Sequence, residues 1–287
     1  NEILFYMGMV DLNLKSDPEL AKYLLSGKVN INKQNLLLTY LSINILMKNG
    51  RNDEALELFN NFNFTDEYYP FYYLNFLHGD CYLRKLNTAQ AVKEYILFLD
   101  NFKGQNYIKD AWQKIAWCAL INSDTAEFRK AMSNVTIYGE TDIDADKSAE
   151  QSAKNSNIPN VELLKSRLLF DGGYYEEAKA ILLETSTQKL TEKEVVEKNY
   201  RLGRISHKVK DYLNAKKYYA LTIETGSSFP EYLAANSALK LGNIYEIEMD
   251  SSQAAHYYKL CLKMDFDEYR NSIRGKAKQG LYRVTKN

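Results

Sequence analysis

The sequence predicts an all-α fold: a right-handed α-solenoid of about seven helix pairs, closed by a C-terminal capping helix. Small residues recur along the chain, each followed at constant spacing by a second small residue and an aromatic or apolar residue. All four prolines fall where a helix is predicted to start, a position that tolerates proline because the first-turn N–H has no intrahelical partner. A hydrophobic content of 45% favours an ordered chain with an ample core.

The repeat is clearest in the second half of the chain. Gly203 is followed after 12 residues by Ala215 and after a further four by Tyr219. The same spacing recurs at Gly242, Ala254 and Tyr258. Glycine or alanine lets two helix backbones approach closely, and an aromatic ring fills the space beside them. One helix pair cannot cover its own apolar face, so pairs of this kind are expected to stack and share a core.

Seven units with this spacing occur along the chain. Their anchor positions are Gly8, Ile43, Gly79, Ala116, Ser166, Gly203 and Gly242, separated by 35, 36, 37, 50, 37 and 39 residues. The small residues expected at the helix contacts are Gly8, Ala21, Ala55, Gly79, Ala91, Ala116, Ala178, Gly203, Ala215, Gly242 and Ala254. Unrelated amphipathic helices in a bundle are the alternative interpretation.

This pattern resembles the tetratricopeptide repeat, which carries Leu-Gly and a later Tyr on its first helix and Ala on its second. Leu241, Gly242 and Tyr245 match the first-helix part of the motif. The resemblance implies a superhelix whose concave surface, lined by the first helices, holds an extended peptide or a partner helix. The family's clamp for a chaperone's C-terminal carboxylate is not carried over. It requires a lysine that the chain replaces with Tyr40, Phe76 and Leu239.

Units one to four are assigned to residues 1–138. Asp17 and Pro18 supply an N-cap and a first helical residue. Helices are predicted over 2–13, 18–25, 33–48, 53–62, 107–121 and 124–135, with a further pair between Pro70 and about Asn101.

Residues 139–158 form a polar, acidic insertion that accounts for the long separation of 50 between two anchors. We expect a short helix over 146–155 and a hinge between the two blocks of repeats. Asp142, Asp144 and Asp146 imitate the start of a calcium loop. The chain then departs from the calcium pattern, which requires glycine and glutamate where Lys147 and Ala153 stand. A solvated acidic loop without a metal is the preferred interpretation.

Units five to seven are assigned to residues 159–266, with Pro159 and Pro230 at helix starts. Residues 267–287 are predicted to form the capping helix. Its basic residues are Arg270, Arg274, Lys276, Lys278, Arg283 and Lys286. They would suit nucleic acid, but two glycines and a polar outer face favour a cap that ends the solenoid in water.

Composition excludes several functional classes. Lys plus Arg and Asp plus Glu both number 37, so no global charge draws the chain to nucleic acid or a membrane. No apolar run is long enough to span a bilayer. The three cysteines are too few and too scattered for a disulfide framework. The chain begins at Asn1, so a targeting segment is not visible. The compartment is left open between the cytoplasm and a bacterial periplasm or envelope.

No pattern of catalytic residues is found. His78 and Cys81 lie one helical turn apart, but two ligands do not make a metal site. There is no P-loop, no dinucleotide-binding glycine pattern and no zinc-protease helix. We therefore expect a non-enzymatic protein without a cofactor.

Three functions are considered. The first is a scaffold that binds a protein or peptide. The second is a structural or regulatory module of a larger protein or envelope assembly. The third is a carbohydrate-handling or enzymatic helical-repeat protein, which only the 139–158 insertion supports. The oligomeric state is left open.

The sequence also suggests where a partner would bind. Arg167 and Arg204 each follow an anchor, and Arg201 and Lys208 extend the second position into a basic stripe along one helix. Guanidinium groups there could grip carboxylates of an acidic peptide. Alternatively, these cations pair with acids of their own scaffold.

Overall fold

A computed structural model describes residues 2–10, 36–60, 71–156 and 158–286. Within these ranges the chain forms fifteen α-helices, one short 3-10 helix and no strand, which confirms the all-α prediction. Predicted Ala21, Pro18 and Pro70, with the helix expected over 18–25, lie outside the described residues.

The first half of the chain forms eight of these helices. They are α1 (Glu2–Val10), α2 (Leu36–Lys48), α3 (Asn52–Asn60), α4 (Tyr73–Arg84), α5 (Thr88–Asn101), α6 (Ile108–Ile121), α7 (Thr125–Ile137) and α8 (Asp144–Lys154).

The second half forms the other seven. They are α9 (Val161–Gly172), α10 (Tyr175–Glu184), α11 (Glu192–Lys208), α12 (Tyr212–Gly226), α13 (Leu233–Ile247), α14 (Ser251–Lys263) and α15 (Arg270–Thr285). Three of them begin later than predicted: α9 and α13 start two and three residues after Pro159 and Pro230, and α15 starts at Arg270 rather than 267.

The described chain divides into two compact units. The first comprises the described residues of Asn1–Val161 and Leu168–Tyr174, and the second those of Glu162–Arg167 and Tyr175–Asn287. Within each unit, helices pack against their neighbours in sequence: α4 with α5 and α6 with α7 in the first, α11 with α12 and α13 with α14 in the second. The prediction that residues 139–158 act as a hinge stays a prediction.

The turn between the two helices of a pair has one recurring geometry. In the last pair, the Asp250 N–H donates to the Tyr245 carbonyl at 2.9 Å, and the intervening Met249 has a left-handed φ of 62°. This arrangement is a Schellman turn, in which the N–H two residues past the C-cap bonds to a carbonyl of the last helical turn. The same N–H to carbonyl bond joins residues 51 and 46, 87 and 82, 124 and 119, 174 and 169, and 211 and 206. Each carbonyl lies three residues after a predicted anchor.

In four pairs, the residue that ends this turn is also the N-cap of the next helix. The side chain of Asp250 accepts from the Gln253 N–H at 3.0 Å, and Asp124 accepts from Glu127 at 2.9 Å. Asn87 and Asp211 cap α5 and α12 in the same way. An aspartate or asparagine oxygen satisfies a first-turn N–H that would otherwise lack a partner.

Each anchor glycine of the described pairs lies against an aromatic or apolar side chain. A Cβ added to Gly79, Gly203 or Gly242 would stand 2.5–2.8 Å from ring atoms of Tyr95, Tyr219 or Tyr258 respectively. The first anchor, Gly8, faces Leu41 of α2. The remaining described packing alanines are fully buried: Ala55, Ala91, Ala116, Ala178, Ala215 and Ala254.

The prediction of a solvated acidic loop at 139–158 is wrong for its central residue. Asp146 lies in α8 and is fully buried. Its carboxylate accepts from the backbone N–H of Tyr107 at 2.6 Å and of Asp110 at 2.9 Å, at the N-terminus of α6. Glu150 of α8 also pairs with Lys109 at 3.3 Å. The insertion is therefore a docked helix that caps α6, and its start at Asp144 is two residues earlier than expected.

Candidate functional site

The strongest candidate site lies on one face of the second unit. Helix α13 packs against both α11 and α15. Arg204 of α11 and Lys276 of α15 are both close enough to Lys240 of α13 for their charges to lower its pKa. We call these three residues the basic face.

The predicted basic stripe on α11 is only partly available to a partner. Arg201 Nε donates to Glu197 Oε1 at 2.8 Å one turn earlier, and its side chain is only 12% exposed. The alternative of pairing within the scaffold therefore applies to Arg201. Lys208 lies exposed at the end of the helix.

Two other predicted arginines have contacts of their own. The guanidinium carbon of Arg204 lies over the ring of Tyr200 at 5.9 Å, within the range of a cation–π contact. Arg167 lies in α9 and also has an interaction partner. Both arginines therefore already have contacts within the protein.

Lys240, which no sequence pattern singles out, has a different environment. Burial is the main cause that lowers the pKa of its ammonium, and the positive charges of Arg204 and Lys276 lower it further. The charge of Lys240 also acts on His207, because burial and that charge together lower the pKa of the His207 imidazole to about 4. Among the described residues, the ammonium of Lys240 forms no ion pair and no side-chain hydrogen bond.

The repeat explains why Lys240 lacks a counterion. Arg201 and Lys240 both stand two residues before an anchor glycine, so they occupy the same position in successive units. Four residues before Arg201 is Glu197, whose carboxylate neutralises it. Four residues before Lys240 is Asn236, whose neutral amide donates to the Tyr200 hydroxyl at 2.7 Å. An i, i+4 carboxylate is the usual partner of a helical cation, and α13 does not provide one.

Three tyrosines border the basic face. The ring of Tyr232 meets the ring of Tyr200 edge to face at 6.0 Å and that of Tyr269 at 5.0 Å. Tyr200 is buried, Tyr232 is half-buried, and Tyr269 is 67% exposed. The cluster therefore presents a graded apolar surface with hydroxyl groups, which suits a peptide side chain.

Acidic residues lie at the starts of α13 and α15. Burial raises the pKa of Glu268, and the nearby Glu231 and Asp267 raise it further. Glu231 also accepts from Lys193 Nζ at 2.6 Å. The second unit thus carries carboxylates beside Tyr232 and Tyr269 and cations about two helical turns further along the same helices.

The first unit contains a second polar cluster, in which one ammonium lies between two carboxylates. Lys114 Nζ lies 2.8 Å from Asp80 and 3.0 Å from Asp110, and 4.1 Å from the centre of the Phe76 ring. The Tyr95 hydroxyl donates to the same Asp80 carboxylate at 2.7 Å. This cluster joins α4 to α6 and leaves little charge for a ligand.

The residues considered for metal or thiol chemistry have structural contacts. His78 Nδ1 lies 3.3 Å from Glu94, and its ring stacks on Phe59 at 4.3 Å. Cys81 is fully buried, and burial raises the pKa of its thiol to about 12. Within the described ranges, no group of three or more His, Cys, Asp or Glu residues could hold a metal ion.

The carboxylate clamp is also absent where the second unit could supply it. Leu239 is buried, and Asn243 accepts from the Tyr258 hydroxyl at 2.9 Å. Lys240 therefore occupies a position that this clamp does not use.

None of the described helices is both long enough and apolar enough to cross a membrane. Comparison of the sequence with protein-family models and with curated proteins gave no match.

Proposed function

We propose that the chain is a non-enzymatic scaffold that resembles the tetratricopeptide-repeat family and binds a protein or peptide partner. In this proposal seven helix pairs and a capping helix form a right-handed solenoid. The first helices of the pairs line a concave surface, and the partner lies along it.

The recurring turn supports the proposed architecture. Six pairs close with the same N–H to carbonyl bond, eight residues and three residues after their anchors. Identical turns repeat one helix–helix geometry from pair to pair, as a solenoid requires.

The observation that carries the proposed function is the surface of α11 and α13. These helices present a half-buried lysine without a counterion about two helical turns from the partly exposed Tyr232. A cation that loses hydration without a counterion is unfavourable, and Arg201 of α11 has such a counterion in Glu197. A partner that supplies carboxylates and an apolar side chain would complete the site.

A structural module of a larger assembly is the second candidate. Ile137, Tyr138 and Ile158 of the first unit are 64%, 51% and 61% exposed. Ile158 also lines an open cavity of about 380 Å³ with Phe128, Met132 and Thr136. Exposed apolar residues beside an open cavity suit a protein interface.

A peptide-display selection on the whole chain tests the main proposal. We expect enriched sequences that combine acidic and aromatic or aliphatic residues, with affinities that weaken as salt rises. Isothermal titration of the enriched peptides measures the affinity. A selection that enriches nothing above background would argue against a peptide scaffold. Enriched peptides whose binding is weakened only by substitutions at Ile137 and Ile158 would favour the second candidate.

A further inference from the structure

An open cavity of about 380 Å³ lies between α7 and the end of α8 in the first unit. Phe128, Met132 and Thr136 of α7 line one wall. Because they stand four residues apart, one face of the helix forms this wall. Ala153 of α8 and Ile158 beyond it line the cavity as well. The volume falls within the range of about 300–1,000 Å³ that is usual for sites of small ligands.

The insertion at 139–158 supplies the second wall. Helix α8 belongs to this insertion and is held against α6 through Asp146. Just past its end, Ser156 has a left-handed φ of 51°, and its N–H donates to the Ala153 carbonyl at 3.1 Å. Insertions into a repeat commonly lie on a binding face. The cavity is therefore formed where the chain departs from its own repeat.

Arg129 brings a positive charge to the lining. It is exposed on α7, and no carboxylate among the described residues forms an ion pair with it. Glu127, two positions earlier, pairs instead with Lys130 at 3.3 Å. No acid stands at the positions three and four residues away on the helix, which are Thr125, Ala126, Met132 and Ser133. A guanidinium without an internal counterion thus borders an apolar cavity.

The lining indicates a ligand with an apolar body and a single negative charge. Phe128, Met132 and Ile158 offer apolar contacts that remove such a body from water. A guanidinium binds a carboxylate through two parallel N–H···O bonds. The exposed hydroxyls of Ser133 and Ser156 can donate a further hydrogen bond. A phosphate would lose more hydration than one cation beside apolar walls replaces.

We propose that this cavity binds a small carboxylate with an aromatic or aliphatic body, and that Arg129 binds its carboxylate group. The body lies between α7 and residues 153–158. The volume suits one ring system or a short alkyl chain, so the ligand is a free acid and not an extended peptide. The inference goes beyond the proposed scaffold function and does not rest on it. Binding is non-covalent.

An NMR titration of the whole ¹⁵N-labelled chain with 2-naphthoate tests the site. We expect a Kd on the order of 1 mM or below, with shifted backbone signals concentrated in residues 128–136 and 153–158. 2-Naphthamide has the same body without the charge and should bind about fivefold more weakly or worse. Shifts confined to other segments would overturn the site, and equal affinity for the acid and the amide would overturn the carboxylate.

Arg129→Gln should weaken binding of 2-naphthoate about fivefold or more and change that of 2-naphthamide by less than about twofold. Lys130→Gln is the matched control. Lys130 is the next residue on α7, is exposed and does not line the cavity, and its substitution changes the net charge equally. It should alter the affinity by less than about twofold. Equal binding by the wild type and both variants would overturn the role of Arg129.

Two substitutions that fill the cavity test its location. Ser133→Leu acts from an exposed position on α7, and Ala153→Leu acts from the opposite wall. Each should weaken binding of both naphthalene probes by about tenfold or more. Circular dichroism and thermal melting show which variants are folded, and either folded variant decides the point. Unimpaired binding in a folded variant would rule the cavity out.

Two further probes separate the ligand classes. 2-Naphthyl phosphate that binds more tightly than 2-naphthoate, and loses affinity in Arg129→Gln, would show that the ligand class is wrong. A short peptide ending in phenylalanine that binds more tightly with a free C-terminus than with an amide, and more tightly than 2-naphthoate, would replace the free acid by a polypeptide terminus. If no probe binds, the site is overturned, whereas the peptide selection decides the scaffold function separately.

Discussion

The ring of Tyr219 lies against Gly203, which leaves no space for a side chain between α11 and α12. A Cβ added to Gly203 would stand 2.7 Å from Cδ1 and 2.8 Å from Cε1 of a ring that is itself 1% exposed. Since the ring is packed on all sides, it cannot move without separating the helices.

Gly203→Ala should therefore destabilise the protein by about 1–3 kcal/mol, although alanine is the better helix former. Urea unfolding monitored by circular dichroism measures the change. Gly275→Ala is the matched control, since nothing lies within 4 Å of its added Cβ. It should stabilise α15 by about 0.5–1 kcal/mol. Equal effects at both positions would show that the contact with Tyr219 does not matter.

Met249 occupies a backbone conformation that suits glycine better. It has a φ of 62° in the turn between α13 and α14 and is 90% exposed. The equivalent turns of two other pairs carry Gly50 and Gly173, both at positive φ. Met249→Gly should raise the free energy of unfolding by about 1 kcal/mol, because a left-handed conformation is strained for a residue with a Cβ.

Ile247→Gly is the control for that substitution. Ile247 is also exposed and apolar, but it lies in the last turn of α13. Glycine there should lower stability by about 0.5–1 kcal/mol. The two variants should thus move the melting temperature in opposite directions, and a fall in both would contradict the strain argument.

We expect Asp146 to contribute strongly to the stability of the first unit. Asp146→Ala leaves two backbone N–H groups of α6 without their carboxylate and should cost about 1–3 kcal/mol. Asp142→Ala, which removes an exposed carboxylate from the same segment, should change stability by less than about 0.5 kcal/mol. Chemical unfolding compares the two. An unchanged free energy of unfolding in Asp146→Ala would mean that these hydrogen bonds of the docked helix do not contribute to stability.

His207 should make the protein less stable in mild acid. Its folded-state pKa is about 4, below its usual 6.5, chiefly because of burial and then because of Lys240. Between these values the unfolded chain binds a proton that the folded chain does not, so stability falls as the pH drops from about 6.5 to about 4.

His207→Gln should flatten this dependence above pH 5, and His256→Gln, at an exposed position on α14, should not. The raised carboxyl pKa values of Asp110 and Asp146 act in the opposite direction, so the comparison between variants is the informative one. Urea midpoints across the pH range measure the slopes. An NMR titration of His207 near 6.5 would rule the explanation out.

Lys240→Met should raise the melting temperature, whereas Lys259→Met should leave it nearly unchanged. The first substitution removes a half-buried charge that is repelled by Arg204 and Lys276. The second removes an exposed charge, and single exposed charges contribute little to stability. A lower melting temperature for Lys240→Met would show that Lys240 is stabilised by a counterion in solution.

The helical class and the register of the repeat could be predicted from the sequence because both depend on short-range spacing. Twelve residues from Gly203 to Ala215 cover one tight turn and the helix segments on either side of it. Tyr219 lies one helical turn beyond Ala215, so its ring returns to the glycine. The N-caps at Asp211 and Asp250 are equally local, since each side chain bonds an N–H three residues later.

The role of Asp146 could not be predicted in this way. Its two partners lie 36 and 39 residues earlier in the chain, and the buried position exists only once α8 has docked beside α6. A run of aspartates looks solvated in sequence because nothing local shows which one enters the interior. Its pattern with Asp142 and Asp144 imitates the start of a calcium loop and was interpreted as a solvated loop without a metal, whereas its partners are backbone N–H groups.

The candidate site, too, could be predicted from the sequence only in part. The sequence by itself determined where the first helices lie and that α11 carries a basic stripe, because a stripe follows from helical periodicity alone. Only the tertiary structure decided which cation has a partner. Arg201 is neutralised by Glu197 on its own helix, whereas the charges around Lys240 come from α11 and α15, 36 residues away on each side. Coulomb interactions depend on distance in space, and that distance is set by how the three helices pack.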